Sequence, residues 1–114
     1  MEIRPGDLFW ISPSESNRIA SDYTHPHVVI QENASNTVVV CALTSNLKRA
    51  KEPGNVLLEE GEANLPRQSV VTVLQMFTVE KRQLGEYIGT LTEQRIDQIL
   101  AGMRFLQFMT QHHE

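Results

Sequence analysis

The stretch TVVVCAL, residues 37–43, carries the strongest strand signal in this sequence. It is rich in β-branched residues, which favour the extended backbone of a strand. Two similar runs flank it, residues 27–30 before it and residues 69–74 after it, and the later run extends towards Phe77. These three runs predict a fold whose core is built from β-strands.

Two shorter segments add to this pattern. Residues 7–11, DLFWI, are set off by Pro-Gly before them and by Ser-Pro after them. Residues 55–59, NVLLE, follow Pro53-Gly54 and end near Gly61. Proline and glycine pairs mark turns, so each segment is predicted to be a strand. Short strands at this spacing predict a small barrel.

The period of the apolar residues changes to that of a helix near the C-terminus. Thr92 is a suitable N-cap, and Glu93 then lies in the positively polarised first turn. The apolar residues that recur at helical spacing are Ile96, Ile99, Leu100, Met103, Leu106 and Met109. We therefore predict an amphipathic helix that packs on the barrel, with its apolar face in the internal core or against a second subunit.

Length and composition limit the organisation of the chain. Its 114 residues, 40% of them hydrophobic, suffice for one domain, residues 1–114, and one core. No apolar run approaches the roughly 20 residues that cross a bilayer, and no export signal is visible, so a cytoplasmic protein without membrane contact is expected. The formal net charge of −4 argues against coating nucleic acid by bulk electrostatics.

Several single residues have both a structural and a functional interpretation. The lone cysteine, Cys41, has no partner for a disulfide and is predicted to be a small buried hydrophobe. Lys48 and Arg49 form a local basic patch, for which a solvated loop is the simpler interpretation. Trp10 is predicted to belong to the core rather than to stack on a base.

The stretch DYTHPHVVIQ, residues 22–31, places His25 and His27 on either side of Pro26. If this segment is extended, the two imidazoles project to the same side, because side chains alternate along a strand. One neutral and one protonated ring could then act as base and acid. The alternative is that His25 lies at a loop edge and His27 is a half-buried strand residue. The polar residues 12–24 before them form a loop long enough to be functional.

The order of several motifs resembles one known family. GDLFWI, HPHVVI, TVVVCALTSN, NVLLEEGE and the pattern T-V-x-K-x-x-L-G-x-x-I-G-T-L, residues 78–91, follow one another as in the MazF/PemK toxins of bacterial toxin–antitoxin modules. The resemblance implies an SH3-like antiparallel β-barrel with a C-terminal helix, usually a homodimer. It also implies an endoribonuclease that cuts single-stranded RNA without a metal or other cofactor. A cognate antitoxin is the expected protein partner, and the toxin is expected to bind DNA together with that antitoxin.

The resemblance also implies a mechanism and a set of site residues. In the family, the ribose 2′-OH attacks the adjacent phosphate, which requires a base, an acid and donors for the developing charge. The family's threonine matches Thr44, but the position of its arginine is held by His25, which cannot provide a permanent bidentate charge. We predict a catalytic set of His25, Thr44 and His27. The predicted RNA-binding residues are Arg18, Asp22, Lys48 and Arg49.

Three functions remain open at this point. The first is an active ribonuclease with altered catalytic residues. The second is a weakened or inactive relative that still binds RNA or an antitoxin. The third is a toxin resembling the gyrase poisons of the same fold. Leu74 and Phe77 stand where many family members carry charged residues, near the dimer interface or the groove. Gln75 between them is predicted to be structural or to face the dimer partner.

Overall fold

Six strands and one long helix form the part of the chain that the computed structural model describes, residues 2–12 and 24–111. The strands are β1 (Asp7–Ile11), β2 (His25–Glu32), β3 (Thr37–Thr44), β4 (Val56–Leu58), β5 (Ser69–Glu80) and β6 (Tyr87–Thr90), and the helix is α1 (Glu93–Gln111). Short 3-10 turns at Leu47–Lys51, Glu62–Asn64 and Lys81–Gln83 connect them. No helix in these described ranges is long and apolar enough to cross a membrane.

All neighbouring strands pair antiparallel, in the order β4-β5-β3-β2-β1-β6. The sheet curls into a half-barrel, and α1 packs on it, which confirms the predicted mainly β fold with a C-terminal helix. β2 and β5 are longer than predicted. Pairing with β1 and β3 extends β2 at its two ends, and pairing with β3 extends β5 beyond its apolar run. β6 had no strand prediction, since its four residues contain a glycine and show little apolar alternation.

A bulge in β5 bends the sheet near its middle. Cys41 pairs with Met76 and Leu43 pairs with Val71, so residues 72–75 stand opposite Ala42 alone. The Thr72 hydroxyl donates to the Ala42 carbonyl at 2.7 Å and lies 3.1 Å from the Gln75 side-chain oxygen. Extra residues of this kind sharpen the bend of a strand. Gln75 therefore has a structural contact within the bulge, as one of its two predicted roles required.

The central strands are buried on both faces. Adjacent residues such as Leu8 and Phe9, or Val28 and Val29, belong to two different apolar clusters on opposite sides of the sheet. α1 covers the first cluster, into which it inserts Ile99. Cys41 lies in this cluster with no exposed surface, and burial raises the pKa of its thiol to about 12. The prediction that Cys41 is a small buried hydrophobe is confirmed.

The helix begins at the predicted place. The Thr92 hydroxyl accepts a hydrogen bond from the Arg95 backbone N–H at 3.3 Å, which is the contact expected of an N-cap. The Arg95 guanidinium also forms an ion pair with Glu62, with Nε 2.7 Å from Oε2, which ties the first turn of α1 to the turn before β5. Towards the other end of α1, Gly102 lies against the backbone of Gly54.

Candidate active site

A cleft opens where four strand ends meet at one end of the sheet. β1 and β3 end there, and β2 and β5 begin there, because neighbouring strands run in opposite directions. The cleft has a volume of about 550 Å³. Its described lining includes Trp10, His25, Thr44, Ser45, Arg67 and Ser69.

The pairing of β2 with β3 explains why His25 and Thr44 share this cleft. His27 pairs with Ala42, and His25 and Thr44 each lie two residues beyond this pair, at the same end of the two strands. Both residues line the cleft. The structure thus brings together two predicted site residues that are 19 positions apart in the sequence.

The two histidines have different environments. His25 is exposed, whereas His27 is only 6% exposed and is not among the residues that line the cleft. The His27 ring meets the Phe77 ring edge to face at 5.5 Å. Its Nδ1 donates to the His25 carbonyl at 2.9 Å, since a carbonyl oxygen can only accept. Within the described lining, the cleft therefore contains one imidazole rather than the pair that the sequence suggested.

Burial lowers the pKa of His27 below its ordinary value of 6.5. The hydrogen bond to the His25 carbonyl opposes this shift, and electrostatic repulsion from the neighbouring His25 ring adds to it. A lowered pKa favours the neutral ring near neutral pH, as expected for a histidine packed among apolar side chains. His27 is therefore placed to hold the backbone of His25 rather than to carry charge into the cleft.

Thr44 ends β3 and has a contact in the turn that follows. Its hydroxyl oxygen accepts a hydrogen bond from the Asn46 backbone N–H at 3.1 Å. A hydroxyl that accepts one hydrogen bond still has a hydrogen to donate. Thr44 is half-buried and lines the cleft, so its geometry serves the turn and leaves a donor for a bound group.

The four predicted RNA-binding residues are not gathered in the described cleft. Lys48 and Arg49 belong to the turn Leu47–Lys51, just beyond Thr44, and neither lines the cleft. Arg49 Nε lies 2.9 Å from Glu52 Oε2, so part of its charge is used within the turn. Arg18 and Asp22 lie outside the described residues, so their roles stay predictions.

Two residues in the cleft were missed or placed differently by the sequence analysis. Trp10 is half-buried in the cleft lining and absent from both apolar clusters, so the prediction that it belongs to the core is wrong. Arg67 is exposed in the cleft and had not been singled out. Strand pairing is the signal that finds it, because Thr44 pairs with Val70 and Arg67 comes just before β5 begins.

Comparison with known proteins identifies the family. A sequence profile of PemK-like, MazF-like toxins of type II toxin–antitoxin systems matches residues 4–106. The chain belongs to the PemK/MazF-like toxin family. This match confirms the family that the motifs of the sequence resembled.

Individual PemK/MazF-like relatives cover most of the chain. Endoribonuclease MazF2 of Mycobacterium bovis is 31% identical over an alignment of 111 positions, which covers 91% of this chain and 96% of that protein. Endoribonuclease MazF of Staphylococcus epidermidis is 30% identical over an alignment of 101 positions, which covers 85% of this chain and 84% of that protein.

Solved structures of PemK/MazF-like proteins share the fold. A mycobacterial endoribonuclease, solved in complex with its cognate antitoxin, superposes with a TM-score of 0.73 at 19% identity and covers 96% of this chain and 97% of its own. The Mycobacterium tuberculosis toxin MazF-mt6 superposes with a TM-score of 0.71 at 16% identity, with coverages of 92% and 97%. At these identities the likeness supports the fold, and the half-barrel with its C-terminal helix matches it.

Proposed function

We propose that this protein is the toxin of a type II toxin–antitoxin module and that it cleaves single-stranded RNA in the cleft at the end of the sheet. The observation that carries the proposal is that His25 and Thr44 both line one cleft of about 550 Å³. The relatives named as endoribonucleases match nearly the whole chain, which supports the same activity here.

The cleft residues suit attack by a ribose 2′-OH on the neighbouring phosphate. His25 is an exposed imidazole, and histidine is the side chain that exchanges protons most readily near neutral pH. We assign it the transfer of a proton at the 2′-OH or at the leaving oxygen. The hydroxyl of Thr44 donates a hydrogen bond to a phosphate oxygen, and the indole of Trp10 offers a face on which a base can stack.

Lys48 extends the proposed path of the RNA beyond the cleft. It is exposed on the turn that directly follows Thr44, where an ammonium group attracts the phosphate of a neighbouring nucleotide. Arg49 on the same turn contributes less in this proposal, because Glu52 already engages its guanidinium.

Metal-independent cleavage is the first test of this proposal. Purified protein in excess EDTA should convert a labelled single-stranded RNA into discrete fragments, and an all-DNA oligonucleotide of the same sequence should stay intact because it lacks the 2′-OH. The His25→Ala variant, purified in parallel, controls for contaminating nucleases. Intact RNA after prolonged incubation with the wild-type protein would refute the proposed activity.

A function limited to binding is the second candidate. It is favoured by the described cleft lining, which contains one imidazole and no carboxylate. The reaction needs a base at the 2′-OH and an acid at the leaving oxygen, and this lining offers only one group, His25, for the two roles. In that case the protein should retain RNA or an antitoxin without turnover. Robust cleavage in EDTA would exclude this candidate.

An antitoxin is the proposed protein partner of the chain. Membership of a toxin–antitoxin family supports it, as does the fold shared with a mycobacterial endoribonuclease solved in complex with its cognate antitoxin. The proposal predicts that a small antitoxin encoded beside this chain copurifies with it and suppresses RNA cleavage. Unchanged cleavage in the presence of a stable complex would contradict the inhibitory role.

We also propose that the protein forms a homodimer through apolar side chains left exposed on β5 and α1. Leu74 in the β5 bulge is 75% exposed, and Phe105 and Met109 near the end of α1 are 46% and 50% exposed. Large exposed apolar groups of this kind mark association surfaces. Sedimentation at micromolar concentration should give a dimer, which Leu74→Lys should weaken, whereas Leu47→Lys at another exposed leucine should not. A wild-type monomer would refute the proposal.

A further inference from the structure

We propose that Arg67 binds a phosphate of the RNA in the cleft and supplies the permanent positive charge that His25 cannot supply. This inference rests on the proposed function and extends it, because it names the group that balances the charge of the phosphate. Arg67 lies just before β5, the strand that pairs with the end of β3 at Thr44, and it lines the cleft together with Thr44 and His25.

The charge distribution of the described residues favours Arg67 over the other cations. Within ranges 2–12 and 24–111, Arg67 is the one lysine or arginine that lines the cleft. Several other cations in these ranges are engaged by carboxylates elsewhere. Their ion pairs are Arg49 with Glu52, Lys81 with Glu32, Arg82 with Glu80, and Arg95 with Glu62.

The guanidinium of Arg67 has no carboxylate partner among the described residues. An arginine that has no carboxylate partner among the described residues, and that lines a cleft with hydroxyl groups, is available to an anion. The same lining includes Thr44 and Ser45, which carry hydroxyl groups. This arrangement fits a phosphate oxygen better than an apolar ligand.

The backbone of Arg67 is held firmly, although its side chain is exposed. Leu65 is only 2% exposed and fixes the chain two residues earlier in the core. Pro66 then restricts the backbone by its ring. On the other side, the buried Ser69 donates a hydrogen bond from its hydroxyl to the Arg67 carbonyl at 3.0 Å. Because the backbone of Arg67 is already fixed, phosphate binding costs less conformational entropy than it would at a residue in a flexible loop.

The chemistry of the proposed reaction needs such a group. Attack of the 2′-OH gives a pentacovalent phosphorus with more negative charge on its oxygens than the starting diester has. A guanidinium presents two parallel N–H donors to two of these oxygens and keeps its charge throughout. An imidazole that transfers a proton changes its own charge during the reaction, so the roles of Arg67 and His25 are complementary.

Binding and cleavage measured side by side test this inference. The binding probe is an all-DNA oligonucleotide, which has the phosphates but no 2′-OH and so is not cut by the proposed chemistry. Arg67→Ala should weaken its affinity roughly ten- to hundredfold, the value of one hydrogen-bonded charge contact. The slope of log K against log salt should fall in magnitude by about 0.7, because one fewer phosphate is neutralised.

Two further variants separate charge from structure. Arg67→Lys should keep the salt slope of the wild type and recover part of the affinity, because it restores the charge but not the fork of donors. Arg82→Ala removes an exposed arginine that is paired with Glu80 on the turn after β5, and it should bind as the wild type does. Unfolding curves of all variants should coincide with that of the wild type, since the Arg67 side chain is exposed.

The outcomes for Arg67 and for the enzyme as a whole are distinguishable. If the wild type binds the oligonucleotide but cleaves no RNA, the proposed activity fails, and a loss of affinity and salt slope in Arg67→Ala still supports this inference. If Arg67→Ala binds with the affinity and salt slope of the wild type, the inference is overturned, whether or not RNA is cleaved. A wild type that neither binds nor cleaves would overturn both.

Discussion

Replacement of His25 by alanine is expected to lower the rate of RNA cleavage roughly 10²- to 10⁴-fold, the usual contribution of a positioned acid or base. The loss should appear mainly in kcat, because proton transfer acts in the transition state more than in substrate binding. His25 is exposed at the start of β2, so the variant should unfold at the same urea concentration as the wild type. Initial cleavage rates over a range of RNA concentrations provide the measurement.

His25→Gln is the matched variant for this prediction. Glutamine keeps a side chain that donates and accepts hydrogen bonds but does not exchange a proton near neutral pH. It should therefore be about as inactive as alanine. If His25→Gln cleaves RNA at the wild-type rate, His25 acts by hydrogen bonding and the assigned proton transfer is wrong.

Thr44 gives a smaller, graded effect in the same assay. Thr44→Ala removes the donor to the phosphate and also the acceptor for the Asn46 N–H, and cleavage should fall about tenfold or more. Thr44→Ser keeps both contacts and should stay close to the wild type. An equally strong loss in the serine variant would show that the methyl group, and not the hydroxyl, is what the site requires.

Gly102→Ala is expected to destabilise the fold by about 2–3 kcal/mol, although alanine is the better helix former. A Cβ at position 102 would lie 2.1 Å from the Gly54 carbonyl oxygen and 3.0 Å from its carbon, and a backbone group cannot swing aside as a side chain can. Gly54 is itself fixed by a φ of +84°, which favours glycine. The helix or the loop before β4 must therefore move.

Urea unfolding followed by circular dichroism measures this change. Ala101→Ser on the neighbouring exposed position adds one heavy atom to the same helix without meeting a backbone, and its midpoint should stay within a few tenths of a molar of the wild type. An equal or higher stability of Gly102→Ala would mean that α1 and the loop separate at little cost, contrary to the packing described above.

Local signals in the sequence predicted most of the fold. The β-branched run of β3 and the apolar period of α1 with its cap at Thr92 depend on neighbours in the chain, and the structure agrees with both. β6 depends instead on pairing with β1. Trp10 lines the cleft because it lies near the end of β1. Such contacts join distant segments and leave no local pattern.

The site was predicted in part for the same reason. His25 and Thr44 were singled out by the family motifs, and their shared cleft follows from the register of β2 with β3. Arg67 was missed because its position depends on where β5 starts opposite Thr44. Strand alternation suggested that His25 and His27 act as a pair. Alternation carries no information about burial, and the His27 ring is buried against Phe77.

The ends of the RNA fragments test the central claim most directly. After incubation with the wild-type protein in EDTA, mass spectrometry should find a 2′,3′-cyclic phosphate on the upstream fragment and a 5′-hydroxyl on the downstream fragment. An RNA that carries a single 2′-deoxyribose at the cut site should not be cleaved there. A 3′-hydroxyl with a 5′-phosphate, or cleavage at the deoxyribose, would contradict attack by the 2′-OH and with it the roles assigned to His25, Thr44 and Arg67.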